Sequence, residues 1–353
     1  PGASSRLCIT VFDQFYGNRH TQSVLLSMLE REKIPQTLLF AGLEGIGKAT
    51  LARRFAARIL GDAARIEQDD LSLDANSSAI ATREKLPADK RNDDPLVFSS
   101  HPDFLTFPPD GPLRQINIPQ MRLLKERAQF KPLKGTRRVF LIDQVDRAGE
   151  QAANSLLKTL EEPPDHLILI MTAENVYDLL PTIRSRAVIL NLSPLSNEDM
   201  KEFARVRGID HAERRIALSG GSPGLAAMLD IDLFQKRRAA MLALLKTGSG
   251  VASFASWLPV AETMGRSRSE KLEGYLKLLY ELLRDITLLR EGSDRTIRNV
   301  DARTDLTAIA TRVSRAWIIN AVKGVDEIAV LLRRNIQKSI ALDGLLMRMR
   351  SVA

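Results

Sequence analysis

Apolar positions fall into two patterns along this chain. In the first half they come as short continuous runs: Leu38-Leu39-Phe40, Phe104-Leu105-Thr106-Phe107, Val139-Phe140-Leu141-Ile142, residues 167–172, and Val188-Ile189-Leu190. Runs of this length read as buried strands, and the stretches between them at 49–60, 118–130 and 151–161 read as helices, the last stopped by Pro163-Pro164. Strands that alternate with helices and are apolar almost throughout imply a parallel sheet covered on both faces. Residues 61–100 mix Asp, Glu, Ser, Asn and Lys without helical or strand periodicity until Leu96-Val97-Phe98, and are expected to form a surface insertion. Past Ser193-Pro194 the strand signal fades. Ser196-Asn197-Glu198-Asp199 predicts a helix start, and the break at Ser219-Gly220-Gly221-Ser222-Pro223-Gly224 precedes a further helix. From about Leu233 the pattern is helical to the end, with Leu272, Leu276, Leu279, Leu283 and Ile286 forming a stripe that must pack against other helices. Three units are expected: an α/β unit over 1–192 carrying the insertion, a small helical unit over 193–232, and an all-α unit over 233–353.

Composition adds limits. The chain has 353 residues, 44% apolar and 27% charged, as in an ordinary globular protein with two or three cores. One cysteine, Cys8, allows no internal disulfide and no four-cysteine zinc site. Residues 1–10 lack the charged-then-apolar pattern of a secretion signal and no apolar run reaches membrane-spanning length, so a cytoplasmic setting is expected. The net charge of +8 fits a polyanionic partner such as DNA, and equally a merely basic surface. Arg122, Lys125, Arg127, Lys131 and Lys134 are candidates for phosphate contact, although a solvated helix face is the simpler reading.

The clearest chemistry lies just after the first run. Gly42-Leu43-Glu44-Gly45-Ile46-Gly47-Lys48 matches the first seven positions of a phosphate loop, and it stands between a strand and a helix as that motif requires. Gly42, Gly45 and Gly47 let backbone N–H groups turn inward around a phosphate, and Lys48 supplies a mobile charge. The eighth position, where a hydroxyl binds Mg²⁺, is Ala49. Thr50 is no substitute, because one residue along a helix turns a side chain by about 100°. Asp143 ends the third run, as the metal-associated aspartate of such ATPases does, but Gln144 follows it where a water-activating glutamate is needed, and an amide is a very poor base.

The sequence resembles the delta-prime kind of subunit within the clamp-loader branch of the AAA+ family. The resemblance rests on His101-Pro102-Asp103-Phe104, on Asn154-Ser155-Leu156-Leu157-Lys158-Thr159-Leu160-Glu161-Glu162-Pro163-Pro164, and on Ile183-Arg184-Ser185-Arg186. Gly221-Ser222-Pro223-Gly224, Asn335-Ile336 and Leu342-Asp343-Gly344-Leu345-Leu346 add to it. It implies a RecA-like AAA+ α/β domain with a parallel sheet, a small helical lid domain and an all-α C-terminal collar domain. It further implies a DNA polymerase III clamp loader, with gamma/tau and delta subunits as neighbours and a sliding clamp and primed DNA handled through the complex. In that family Arg186 of the Ser185-Arg186-Ala187 segment corresponds to an arginine finger that acts in trans on a neighbour's ATP site, the usual cysteine being replaced by Ala187; Arg184 reads equally as a surface residue. Thr172 matches the first sensor position, whereas Leu225 stands where relatives often carry a lid arginine. With Ala49, Gln144 and Leu225 together, the resemblance implies no intrinsic ATPase within a polymerase holoenzyme, and a vestigial site of Gly42, Gly45, Gly47, Lys48, Asp143 and Thr172. That site requires no cofactor and no metal, with ATP bound without turnover as the remaining possibility. The alternatives are an ATP-hydrolysing gamma/tau-like motor and a DNA-binding AAA+ module outside replication.

Overall fold

A computed structural model describes residues 12, 14–266, 272–293, 297–331 and 337–351. Cys8, the segment 1–10 and Asn335-Ile336 lie outside the described residues. Contacts divide the chain into two compact units, 1–227 and 228–353.

The first unit is built on a six-stranded sheet: β1 (Thr37–Ala41), β2 (Phe98–His101), β3 (Phe104–Phe107), β4 (Arg138–Ile142), β5 (Leu167–Ala173) and β6 (Val188–Asn191), in the order β2-β3-β4-β5-β1-β6. All pairings are parallel except β2 with β3. Every residue of β1, β4 and β5 is buried, and the period-two alternation of a strand divides them between two cores. Leu38, Phe40, Val139, Leu141, Ile168 and Ile170 face one core with Leu51 and Phe55 of the Lys48–Leu60 helix. Leu39, Phe140, Ile142, Leu169 and Met171 face the other, with Leu124 of the Ile118–Ala128 helix and Leu156 of the Glu150–Glu161 helix. The Ile118–Ala128 helix begins in a reciprocal cap between Asn117 and Gln120, with Pro119 in its first turn. The helices Asn197–Arg207 and Ala212–Ser219 lie in this unit; Ser196 caps the first, its side chain accepting from the Asp199 N–H at 3.1 Å.

The insertion corrects the sequence reading. Residues 61–100 fold into the helices Ala63–Ile66, Asp74–Arg83 and Ala88–Asp93 before β2. Apolar periodicity is weak there because ion pairs anchor the segment instead. Arg53, 2% exposed on the Lys48–Leu60 helix, pairs with Glu67 and Asp70, and Arg83 makes two bonds to the buried Asp110 at 3.0 and 2.9 Å. Arg53, Arg83 and Asp110 each have a close opposite charge, the condition under which such burial is tolerated. The buried Asp69 is held instead by Ser100, whose N–H donates to it at 3.0 Å, and burial pushes its carboxyl up.

Among its described residues the second unit is all helical in its regular structure, over Ile231–Gly248, Leu258–Arg266, Leu272–Arg290, Arg303–Arg312, Arg315–Leu331 and Lys338–Arg350. Leu272, Leu276, Leu279, Leu283 and Ile286 are all buried in its core. Trp257 and Trp317 are fully buried with their indole N–H groups satisfied, Trp257 by Asp343 at 2.6 Å and Trp317 by the Met349 carbonyl at 2.9 Å. The Leu342-Asp343-Gly344-Leu345-Leu346 motif is thereby explained: its leucines enter the core and its aspartate holds a tryptophan.

Candidate functional site

Parallel strands bring their C-terminal ends to one edge of the sheet, and that edge gathers most of the predicted site residues. The phosphate loop leaves β1, Asp143 follows β4, and Thr172 lies near the end of β5, which runs between those two strands. Thr172 pairs in register with Phe40 of β1. Its buried hydroxyl donates to Asp143 Oδ1 at 2.6 Å and accepts from the Gln144 N–H at 2.8 Å. Gln144 itself is left-handed, φ 55° and ψ 54°, a conformation that strains a residue with a Cβ. Burial pushes the Asp143 carboxyl above the usual range, against the opposing effects of the Thr172 hydrogen bond and the Lys48 charge.

Lys48, 8% exposed, donates to the carbonyls of Gly42 at 2.6 Å and Leu43 at 2.8 Å. Burial pulls its pKa down, opposed by the fields of Asp143, Glu174, Asp146 and Glu44. The glycines have definite roles in the loop. A Cβ at Gly45, where φ is +71°, would stand 2.6 Å from Ser222 Oγ and 2.8 Å from the Leu225 nitrogen; one at Gly47, φ +97°, would meet Phe15 at 2.9 Å. Ser222 Oγ donates to the Glu44 carbonyl at 2.8 Å and the Gly224 N–H to the Gly45 carbonyl at 2.8 Å. The Gly221-Ser222-Pro223-Gly224 break is therefore a docking seat for the outer, carbonyl side of the phosphate loop. These bonds leave untouched the N–H side, the side by which loops of this pattern hold phosphate. Leu225 is 40% exposed beside it. No group of three or more His, Cys, Asp or Glu among the described residues is placed to hold a metal ion.

Arg186 is at the other end. Val188 of β6 lies opposite Leu38 of β1, so Arg186 precedes the sheet at its N-terminal edge, whereas the phosphate loop begins beyond Ala41. At about 3.3 Å per residue, the four positions from Leu38, level with Val188, to Gly42 alone span roughly 13 Å along the strand, beyond the reach of one side chain. Arg186 is about one-third exposed. It donates from Nη2 to Glu161 at 3.0 Å and from Nη1 to the Thr182 carbonyl at 3.1 Å. Arg184 stacks on the exposed ring of Tyr177, 5.4 Å from its centroid. Arg122, Lys125, Arg127, Lys131 and Lys134 are all exposed.

Three features escaped the sequence reading. Asp146 accepts from the Glu174 N–H through Oδ2, while its buried Oδ1 has no hydrogen-bond partner. Glu161 is the partner of Arg186, and Ser222 is the anchor of the phosphate loop. Each pairing joins residues at least 25 apart and has no periodic signature; only the Glu161-Glu162 pair, two acids in a last helical turn where the dipole disfavours them, hints at a nearby cation.

The family described as DNA polymerase III, delta subunit, matches residues 17–196, about half of the chain. A DNA polymerase III subunit gamma from Buchnera aphidicola is 27% identical over 194 residues, covering 55% of this chain and 48% of its own length. A DNA polymerase III subunit delta' from Pseudomonas aeruginosa is 30% identical over 224 residues, 62% of this chain and 63% of that protein. The chain thus spans between about half and two thirds of these relatives. Among solved structures, a DNA polymerase III gamma subunit-related protein from Thermotoga maritima aligns over 93% of this chain and 99% of its own at 18% identity, with a TM-score of 0.43. The matched region takes in the phosphate loop and all of β1 to β6, and the chain belongs to the DNA polymerase III delta-subunit family of clamp-loader proteins.

Proposed function

We infer that this chain is a stator of the delta-prime kind in a DNA polymerase III clamp loader: it does not hydrolyse ATP and lends Arg186 to the ATP site of a gamma/tau neighbour. The observation that supports this reading is that Arg186 lies at the sheet edge opposite the chain's own phosphate loop, out of reach of a nucleotide held there. A planar, permanently charged guanidinium there would stabilise charge developing on the transferred phosphoryl group. In the chain's own loop, Ala49 offers no Mg²⁺ ligand, Gln144 is no base, and the Thr172 hydroxyl is already engaged with Asp143. The partners on this reading are gamma/tau and delta, with the sliding clamp and primed DNA reached through the complex in the cytoplasm. Among the described residues no helix is long and apolar enough to cross a membrane. ATP turnover by the purified chain should equal that of a Lys48→Ala control; turnover well above it, abolished by the substitution, favours the gamma/tau-like motor instead. What speaks for that motor is the retained trio Lys48, Asp143 and Thr172.

Static nucleotide binding fits the same site, since the bonds from Ser222 and Gly224 reach only carbonyls of the loop. Without a hydroxyl at position 49, affinity for an ATP analogue should change less than about three-fold when Mg²⁺ is replaced by EDTA. A much larger Mg²⁺ dependence would mean that another ligand completes a metal site.

A further inference from the structure

Residues 228–353 carry 21 Lys and Arg against 14 Asp and Glu, so seven of the chain's eight excess positive charges fall in the second unit. Part of that excess collects at one end of it. The buried Trp317 indole donates to the carbonyls of Gly248 at 3.3 Å and Met349 at 2.9 Å, which brings the ends of the Ile231–Gly248 and Lys338–Arg350 helices to the start of the Arg315–Leu331 helix. Arg312, last residue of the Arg303–Arg312 helix, donates to the Ser249 carbonyl at 3.1 Å, and Arg290, last of the Leu272–Arg290 helix, to the Val313 carbonyl at 2.5 Å. Four helices therefore end and one begins here, and Arg290, Arg312, Arg315 and Arg350 are all exposed. None of the four pairs with a carboxylate among the described residues. Arginines in last turns offset helix dipoles, but the magnitudes leave a surplus. At about half a charge per helix end, four C-termini and one N-terminus amount to roughly −1.5, and Glu291 beside Arg290 adds one negative charge against four guanidinium charges. The neighbouring pairs Lys246–Asp305 and Arg348–Glu327 cancel. No dipole accounts for Arg315: it is the first residue of its helix, where a cation is disfavoured, and its guanidinium makes no hydrogen bond or ion pair among the described residues.

We propose that this arginine-rich end of the second unit binds the phosphate backbone of a nucleic-acid duplex. Arg290 and Arg312 each spend one N–H on a backbone carbonyl, which holds the side chain in place, and keep the others for phosphate oxygens. Side chains held in this way lose less freedom on binding than free ones. A duplex fits better than a single strand, because no described aromatic residue of the second unit is exposed for bases to stack on; Trp317 is buried and Phe254 lies under Arg350, 5.9 Å from its guanidinium. Contacts to phosphates alone carry no sequence information, so the binding is expected to be indifferent to base sequence. This contact goes beyond the stator reading and does not depend on Arg186.

The test is fluorescence anisotropy of the full chain with a short labelled DNA duplex over a range of salt concentrations. Arg315→Glu combined with Arg350→Glu should weaken binding at least about ten-fold and reduce the slope of log affinity against log salt by about two. The control, Lys236→Glu with Lys323→Glu, makes the same change of net charge at exposed positions of the same unit. These lysines lie roughly 20 and 12 Å along their helices from Ser249 and Arg315. Screening at that distance should hold the loss below about three-fold. Arg315→Gln guards against misfolding: taking a cation off a helix N-terminus should leave the unfolding temperature unchanged or raised, while the slope falls by about one. No duplex binding at low salt, equal losses in the two double variants, or an unchanged salt slope would each overturn the proposal. So would tighter binding of the corresponding single strand, or equal displacement by pyrophosphate at the same phosphate concentration, which would mark a site for small anions. Arg186→Ala should leave this binding unchanged, so unchanged neighbour hydrolysis in Arg186→Ala complexes would remove the stator reading and leave the duplex result standing.

Discussion

On the stator reading, two requirements compete at Arg186. An exposed ion pair such as the one with Glu161 contributes only about 0.2–1 kcal/mol, so it can hold the guanidinium in the free chain and still release it to a neighbour's phosphate. Glu161→Gln keeps an acceptor oxygen but removes the charge. In an assembled complex it should leave the neighbour's hydrolysis unchanged or raise it by at most about five-fold; a clear fall would show that Glu161 supports Arg186 in its working position. Asp143 illustrates the opposite economy, a carboxylate retained in a place that does not suit it. A carboxyl held by burial above its unfolded value takes up its proton first in the native state, so it favours folding as the pH falls through the raised value and burdens it at neutral pH. Asp143→Asn keeps an acceptor for Thr172, and should stabilise the chain at pH 7.5 by on the order of 1 kcal/mol, with the gain shrinking toward acid pH. A destabilised Asn variant in urea titration at pH 7.5 would show that the charge interaction with Lys48 outweighs the burial.

Among the elements, the phosphate loop is as much a packing joint as a ligand site. Gly45→Ala sets a Cβ against Ser222 and Leu225 at a positive φ, and should cost about 1–3 kcal/mol in the urea midpoint of the first unit; no change would mean that the loop is not seated on residues 222–225. These couplings also mark what was legible in the sequence. β1, β4 and β5 announced themselves because strands buried on both faces have apolar side chains at nearly every position, and the Leu272–Arg290 helix because its stripe follows the helical period. The phosphate loop was legible because its chemistry needs glycines at fixed spacing. The insertion was not, because its order comes from Arg53 and Arg83 meeting carboxylates distant in sequence, and a charged residue looks the same whether solvated or paired. Nor could the sequence tell that the Thr172 hydroxyl is engaged by Asp143.

For the whole molecule, each unit has its own hydrophobic core. Deleting residues 228–353 should therefore leave a folded α/β unit that no longer joins a clamp-loader complex, and full co-purification of the truncated chain would show that the second unit is not the means of assembly. The central claim concerns chemistry in a molecule other than this one. Its most direct test is single-turnover ATP hydrolysis at the adjoining gamma/tau site in a complex assembled with the Arg186→Ala chain. Trans-acting arginines of this kind contribute roughly 10³ to 10⁵ in rate, so hydrolysis at that one site should fall steeply while assembly is preserved, and Arg186→Lys should restore little because an ammonium lacks the planar fork. An assembled Arg186→Ala complex that hydrolyses ATP at that site at the wild-type rate would contradict the account.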